Sequence, residues 1–453
     1  MSISSTFAIA IATLLGLLAR RVDAQVEPAR AAPSAPQADS AQQARAAYRR
    51  ASGAYRQHDI AAARQEMERA ADWWPTQQAY LQGSAVLAAA AHDTAGAARW
   101  LERLADLGIG SDPRADTIFR ALAGSRVFDA AVARVTTATA PVVRSRVRFS
   151  VADTMFHPEG IAFDRKTGRW FIGSVRQRRV VVVGRDGLAH DFVRAAADGI
   201  GGVFGMAVDS TRRTLWVATT ALPRMDGFAA SDSGRVGVYG YDLDTGRLRQ
   251  KAWMPRDSSV SHAFGDVAVA PSGAVYVSDS QSPWILELPL GSDSLVRFMT
   301  HPLFRSLQGM AITADGATMF AADYSHGLLR IDLASRSASV LEPPRNVTTL
   351  GVDGLYVHRG ALVGIQNGVT PARVVRFCLD ADARSVRRLD LLDRNPAIAD
   401  EPTLGAIVGD SVFYVATSQW EKFDDSGKRI PGTKARPATV LGVALDDGCN
   451  PRR

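Results

Sequence analysis

One unit recurs six times in this 453-residue chain, and that recurrence limits the fold more than any other feature. Each copy has a small or polar residue, a glycine, two apolar residues, a turn, and an alternating strand ending in Ser, Thr or Asp. The copies are "EGIAFDRKTGRWFIGS" from Glu159, "FGMAVDSTRRTLWVATT" from Phe204, "GDVAVAPSGAVYVSDS" from Gly265, "QGMAITADGATMFAADY" from Gln308, "DGLYVHRGALVGIQN" from Asp353 and "LGAIVGDSVFYVATS" from Leu404. Their starts lie about 43 to 61 residues apart, the length of a four-stranded blade. Turns such as "DRKTG", "APSG" and "TADG" carry the Asp/Gly chemistry of tight hairpins. A further apolar strand follows each hairpin, for example "RRVVVV", "WILELPL" and "TVLGVALD". Six such units close radially and leave only short, protected edges. The fold class is therefore mainly β, a six-bladed β-propeller over residues 145–453, with an α-helical segment ahead of it. "SRVRFSV" (145–151) is placed to supply the outer strand that closes the last blade.

In a propeller the innermost strand of each blade lines a central channel, so the residue before each glycine belongs to a ring at one mouth. That ring is Glu159, Phe204, Gly265, Gln308, Asp353 and Leu404. Two carboxylates and an amide oxygen aimed at one axis suit a hard divalent cation. Carboxylates buried together without a counter-charge repel one another. The same residues also suit a wet channel mouth satisfied by water and basic side chains. His157, His262 and His326 lie in segments that could reach this mouth. No G-x-S-x-G, H-E-x-x-H, P-loop or dinucleotide fingerprint accompanies them.

"HPEGIAFD", "GDVAVAPSGAVYVSDS", "QGMAITADGATMFAADY" and "DGLYVHRGALVG" resemble the blade openings of the gluconolactonase/regucalcin-like propellers. The third unit also resembles paraoxonase and strictosidine-synthase-like propellers, and the general pattern resembles NHL repeats. The resemblance implies a Ca²⁺ or similar divalent cation that polarises a lactone carbonyl, with an aspartate serving as both ligand and base. It assigns Glu159, Gln308, Asp353 and Asp266 to the metal and Asp353 to catalysis. Glu159 and Asp353 match the family pattern. Gln308 stands where an asparagine is usual, and so does Gly265, whose neighbour Asp266 matches the acidic half of an Asn-Asp pair. A paraoxonase-like resemblance would make His262 a base.

The region before the propeller has another period. "HDIAAARQEMERAAD" (58–72) aligns with "HDTAGAARWLERLAD" (92–106) at a spacing of 34 residues. Small Ala63 and Ala97 recur at helix contacts, larger Met67 and Leu101 four residues on. This resembles tetratricopeptide repeats over 44–135, with a degenerate third unit at 114–135, and the resemblance implies a groove for a protein partner. Docking on a neighbouring segment is the other role for so short an array. "TTATAPVV" falls within a linker at 136–144, and the Ala/Pro/Ser-rich stretch 25–43 reads as a flexible lead-in.

At the N-terminus "FAIAIATLLGLLA" (7–19) is too short for a spanning helix and suits an export leader ending near residue 24. The expectation is a periplasmic or secreted protein with no transmembrane segment. The net charge of +7 comes from scattered arginines, not a basic patch interleaved with aromatics, which argues against nucleic acid. Cys378 and Cys449 leave open a disulfide or two separate thiols. Two functional readings follow. One is a divalent-metal-dependent hydrolase of lactones or related esters acting on a small molecule at the mouth. The other is a non-catalytic scaffold that binds a ligand at the mouth or a protein in the helical groove. The insertions "ALPRMDGFAASDSG" (221–234) and "WEKFDDSGKR" (420–429) break the strand rhythm and are expected to cover one face.

Overall fold

A computed structural model describes residues 36–255, 259–446 and 448–449. The chain forms two compact units, residues 1–140 with 345–348, and residues 141–344 with 349–453. The expected leader, 1–24, lies outside the described residues.

The first unit is helical: α1 (Pro36–Arg56), α2 (Ile60–Trp73), α3 (Gln78–Ala90), α4 (Thr94–Asp106) and α5 (Arg126–Ala138). Ala63, Ala97, Met67 and Leu101 are all buried, as their spacing requires. The repeated "HD" is turn chemistry. His58 and His92 adopt left-handed φ of 63° and 57° at the ends of α1 and α3. Asp59 and Asp93 then cap α2 and α4, accepting from Ala62 N and Gly96 N at 2.9 and 2.8 Å. Two boundaries differ from expectation. α1 starts at Pro36, inside the supposed lead-in, because proline suits the first helical position and "AQQARAAYRR" favours helix. α5 runs to Ala138, three residues into the supposed linker. The third unit opens with short 3₁₀ turns at Pro113–Ala115 and Thr117–Leu122 instead of a full helix. Among the described residues, no helix is long and apolar enough to cross a membrane.

The second unit is the six-bladed propeller, each blade a four-stranded antiparallel sheet. The innermost strands of blades I to VI are Pro158–Asp164, Gly202–Asp209, Phe264–Val269, Leu307–Ile312, Val352–His358 and Gly405–Ile407. Blade VI takes its outer strand from Arg146–Val151, which pairs with Ala438–Ala444, so the ring is closed as the sequence implied. Apolar clusters fill the seams, such as Phe171, Val203 and Tyr239 between blades I and II, and Phe149, Trp170 and Val440 between VI and I. Cys378 and Cys449 are joined, which resolves the open alternative and ties the tail to blade V.

In blades I to V the innermost strand carries a register shift, and in each it spans the ring residue and its successor, for example Pro158/Ile161 and Val352/Leu355. Such bulges re-aim a side chain and sharpen the local bend. The glycines following the ring residues allow neighbouring backbones to touch. A Cβ on Gly160 would sit 1.9 Å from Phe204 O, and one on Gly309 would sit 2.3 Å from Asp353 O. Gly160→Ala is therefore expected to cost about 3 kcal/mol or more. Gly265→Ala, whose Cβ would meet nothing closer than 3.4 Å, should cost less than about 1 kcal/mol. Urea unfolding of both variants checks this, and equal losses would remove the seam argument.

Candidate functional site

The bulges bring Glu159, Gln308 and Asp353 to one mouth of the channel. Glu159 is buried, and its Oε2 accepts the indole N–H of Trp420 at 2.7 Å. Burial pushes its carboxyl well above the usual range, Asp353 pushes it further, and Glu401 adds to this while Trp420 opposes it. Asp353 accepts from Asn367 Nδ2 at 2.7 Å, and Asn367 in turn accepts the Tyr324 hydroxyl. Gln308 donates its amide N–H to Ser306 Oγ at 3.2 Å. Its Oε1 lies 3.6 Å from where a Cβ on Gly265 would be, so the amide oxygen faces the gap left by that glycine.

Asp266 sits one residue deeper. It occupies the position filled by glycine in the other five blades, and its Oδ2 accepts from Met310 N at 3.0 Å. Burial pushes its carboxyl up to about 7, partly offset by backbone N–H donors, with Asp353 raising it further. Among the described residues, neither Glu159 nor Asp266 forms an ion pair. Nor do the carboxylates of Glu159, Asp266 and Asp353 all come within 4.8 Å of one another. The one close set of potential ligands, Cys378, Asp390 and Cys449, has its two sulfurs bonded together and is not a metal site.

Two of the three candidate histidines bind the aspartates at the strand ends. His262 Nδ1 lies 2.5 Å from Asp279 Oδ2, and His326 Nδ1 lies 3.3 Å from Asp323 Oδ1. Asp279 also accepts from the backbone of Ala263, Gln281 and Ser282, and Asp323 from Arg305, Ser306, Ser325 and His326. The Ser, Thr or Asp near the end of units I to IV is thus a loop anchor, with Ser174 serving Gln177 N and Thr220 serving Phe264 N in the same way. His157 is fully buried between Trp420 (4.4 Å, edge-on) and Phe423 (5.5 Å, stacked). Burial, then Arg224 and Arg176, bring its pKa down to about 3, so it is a neutral packing group.

Trp420 was not picked out by the sequence as a site residue. It stands at the start of the blade VI insertion, 6.1 Å from the Phe204 ring as well as bonded to Glu159. Arg224, from the blade II insertion, lies over the indole at 5.2 Å, donates to Trp420 O at 2.8 Å and pairs with Asp425 at 2.8 Å. The two insertions thus interlock above blade I and cover the Glu159 side of the mouth. A lone tryptophan in an insertion carries no period, and only its partner identifies it.

No protein-family model matches the chain, and no curated protein matches it. Similar solved structures include a gluconolactonase from Xanthomonas campestris (15% identity, 68% of this chain and 92% of that one, TM-score 0.42). They also include a luciferin-regenerating enzyme (14%, 67% and 95%, 0.44) and a virginiamycin B lyase from Staphylococcus aureus (12%, 67% and 100%, 0.43). At these values they bear on neither family nor activity, which rest on the site itself.

Two predictions follow from the geometry. Trp420→Phe keeps an aromatic ring but withdraws the N–H from a buried carboxylate, which should cost about 1–3 kcal/mol in urea unfolding. An unchanged midpoint would show the bond contributes nothing. The Asp266 carboxyl, raised from 3.8 to about 7, holds its proton more tightly when folded. Its stability contribution is intact below its ordinary value and erodes as pH rises towards the folded one. Asp266→Asn should therefore gain stability relative to the parent between about pH 4 and about pH 7. Melting curves of the cation-free proteins test this, and a pH-independent difference contradicts it.

Proposed function

We propose that this chain is an exported, divalent-cation-dependent hydrolase of lactones or related esters, acting at the mouth formed by Glu159, Gln308 and Asp353. The observation that carries the reading is the burial of Glu159 and Asp353 together, each charge opposing the other. A hard cation relieves that repulsion, and the donor set is all oxygen, which suits Ca²⁺ or Mg²⁺. Glu159, Gln308 and Asp353 would hold it, with Asp266 beneath. When bound, it would act as a Lewis acid on a carbonyl oxygen. Export rests on the apolar run at 7–19.

The chain's own residues supply the rest. Asp353, oriented by the Asn367 amide, takes the proton of the attacking water. Trp420 fixes Glu159 through its N–H and, with Phe204, forms an apolar wall that excludes bulk water. Gly265 leaves a gap in the rim beside the Gln308 oxygen, where a substrate ring can sit.

Thermal melting with added Ca²⁺, Mg²⁺, Mn²⁺ or Zn²⁺ should raise the midpoint for at least one ion, and no shift with any of them rejects the reading. Asp353→Asn should then lower turnover of a lactone panel by about 10²–10⁴-fold while sparing the fold. Unchanged turnover removes Asp353 from the mechanism. The side chain missing at Gly265 favours a second reading, a ligand-binding protein without turnover, whose signature is a cation shift with no hydrolysis of any lactone.

A further inference from the structure

The six innermost strands repeat a four-residue opening: EGIA, FGMA, GDVA, QGMA, DGLY and LGAI. After the ring residue the pattern is glycine and then two small or apolar residues. A strict repeat would place only small or apolar side chains in these openings below the rim. Two polar residues break it, Asp266 at the glycine position of blade III and Tyr356 at the last position of blade V.

Both deviations line the same cavity. Its volume is about 320 Å³, and its other walls are mostly apolar side chains such as Ile161, Met206, Val267 and Met310, with Arg165 and Ser210 also lining it. None of Glu159, Gln308 and Asp353 lines it. Asp266 is more than nine-tenths buried. Tyr356 Oη accepts the Gly405 N–H at 2.5 Å. Its own hydroxyl hydrogen has no protein acceptor among the described residues. Burial, and then the charges of Asp266, Asp353 and Glu159, hold the tyrosine well above its usual range, so it stays a neutral donor or acceptor. The glycine of the adjacent blade makes the arrangement fit: a Cβ on Gly205 would lie 2.5 Å from Asp266 Cα.

We infer that the channel beneath the rim is a second binding site, for a small primary amine with an apolar body. The ammonium group would meet the Asp266 carboxylate and the Tyr356 oxygen, with the body lying along the apolar walls. Three features select this chemistry. Carboxylates dominate the inner end of the channel, so an anionic head is repelled. Most of the side chains in the walls are apolar, so a polyol would find few side-chain partners along its length. The volume is roughly twice the about 150 Å³ that encloses one benzene, which sets a limit near a six- to eight-carbon amine. Arg165 is the basic residue lining the cavity, and its guanidinium donates to Ile407 O at 3.0 Å on an exposed edge. The proposal shares Asp266 with the hydrolase reading but uses none of the rim residues Glu159, Gln308 and Asp353.

The test is calorimetric titration and thermal melting of the full chain with hexylamine, hexan-1-ol and hexanoate at mildly alkaline pH. Hexylamine should bind and raise the midpoint, hexanol should bind at least about tenfold more weakly, and hexanoate should not bind. Asp266→Asn should weaken hexylamine at least about tenfold. Ala207→Phe, which fills the channel and leaves Asp266 in place, should abolish binding and keeps the proposal testable if Asp266→Asn fails to fold. Equal binding of hexanol and hexylamine, or undiminished amine binding in either variant, overturns the inference. A Ca²⁺ shift that survives in Asp266→Asn while amine binding is lost separates this site from the rim. Loss of the Ca²⁺ shift with no amine binding in the parent assigns Asp266 to the cation and overturns it.

Discussion

The propeller depends on how closely its innermost strands approach around the axis. Gly160 touches Phe204 O, Gly205 touches the Asp266 backbone, Gly309 touches Asp353 O and Gly354 faces Thr403 O. Thr403 Oγ1 donates to Glu159 O at 3.1 Å and completes the circle from blade VI to blade I. The seam between blades III and IV also lacks a glycine contact and is made by the Asp266 carboxylate on Met310 N. A side chain at any of the glycines would push two blades apart, and every side chain on the rim would move with them. Of the two seams made by side chains, the one between blades III and IV holds the acid that departs from the repeat.

The electrostatics follow from that approach. Backbones this close leave little room for solvent, so carboxylates on the rim lose hydration and oppose each other across the axis. Glu159 accepts an indole N–H and Asp353 an amide N–H, and neither of these donors carries charge. Acids buried close together are costly, and such groups concentrate where chemistry or binding occurs. The interlocked insertions intensify the effect by packing Trp420 and Phe423 against His157 over the same side.

The sequence made the architecture legible because each blade repeats the same solution. Six copies of one pattern defined the blades, the ring and the closing strand 145–151. Glu159, Gln308 and Asp353 were legible as a group because a common register placed them at equivalent points. Asp266 was grouped with them, yet a one-residue offset puts it below the rim, and only the bulge geometry reveals how much that offset matters. Trp420 and Arg224 were hidden because insertions have no register, so a contact between blades II and VI leaves no local trace. The histidines misled for the opposite reason: near a candidate mouth they look chemical, but His262 and His326 lie on loop anchors and His157 is packed between rings. The repeated "HD" is a left-handed residue followed by a helix cap.

Closing the last blade with Arg146–Val151 has a consequence for synthesis on the ribosome. Ser150 and its partner Thr439 are 289 residues apart, so the first strand of the propeller emerges long before the strand it must join. Until Ala438–Ala444 is made, Arg146–Val151 lacks its native pair, and blade I lacks the neighbour whose Val415 and Val440 cover Trp170. The nascent propeller is an open arc with an unpaired edge at its start, a form prone to wrong pairing. Its last step brings the two ends of the arc together, and the Cys378–Cys449 bond then anchors the tail that follows the closing strand.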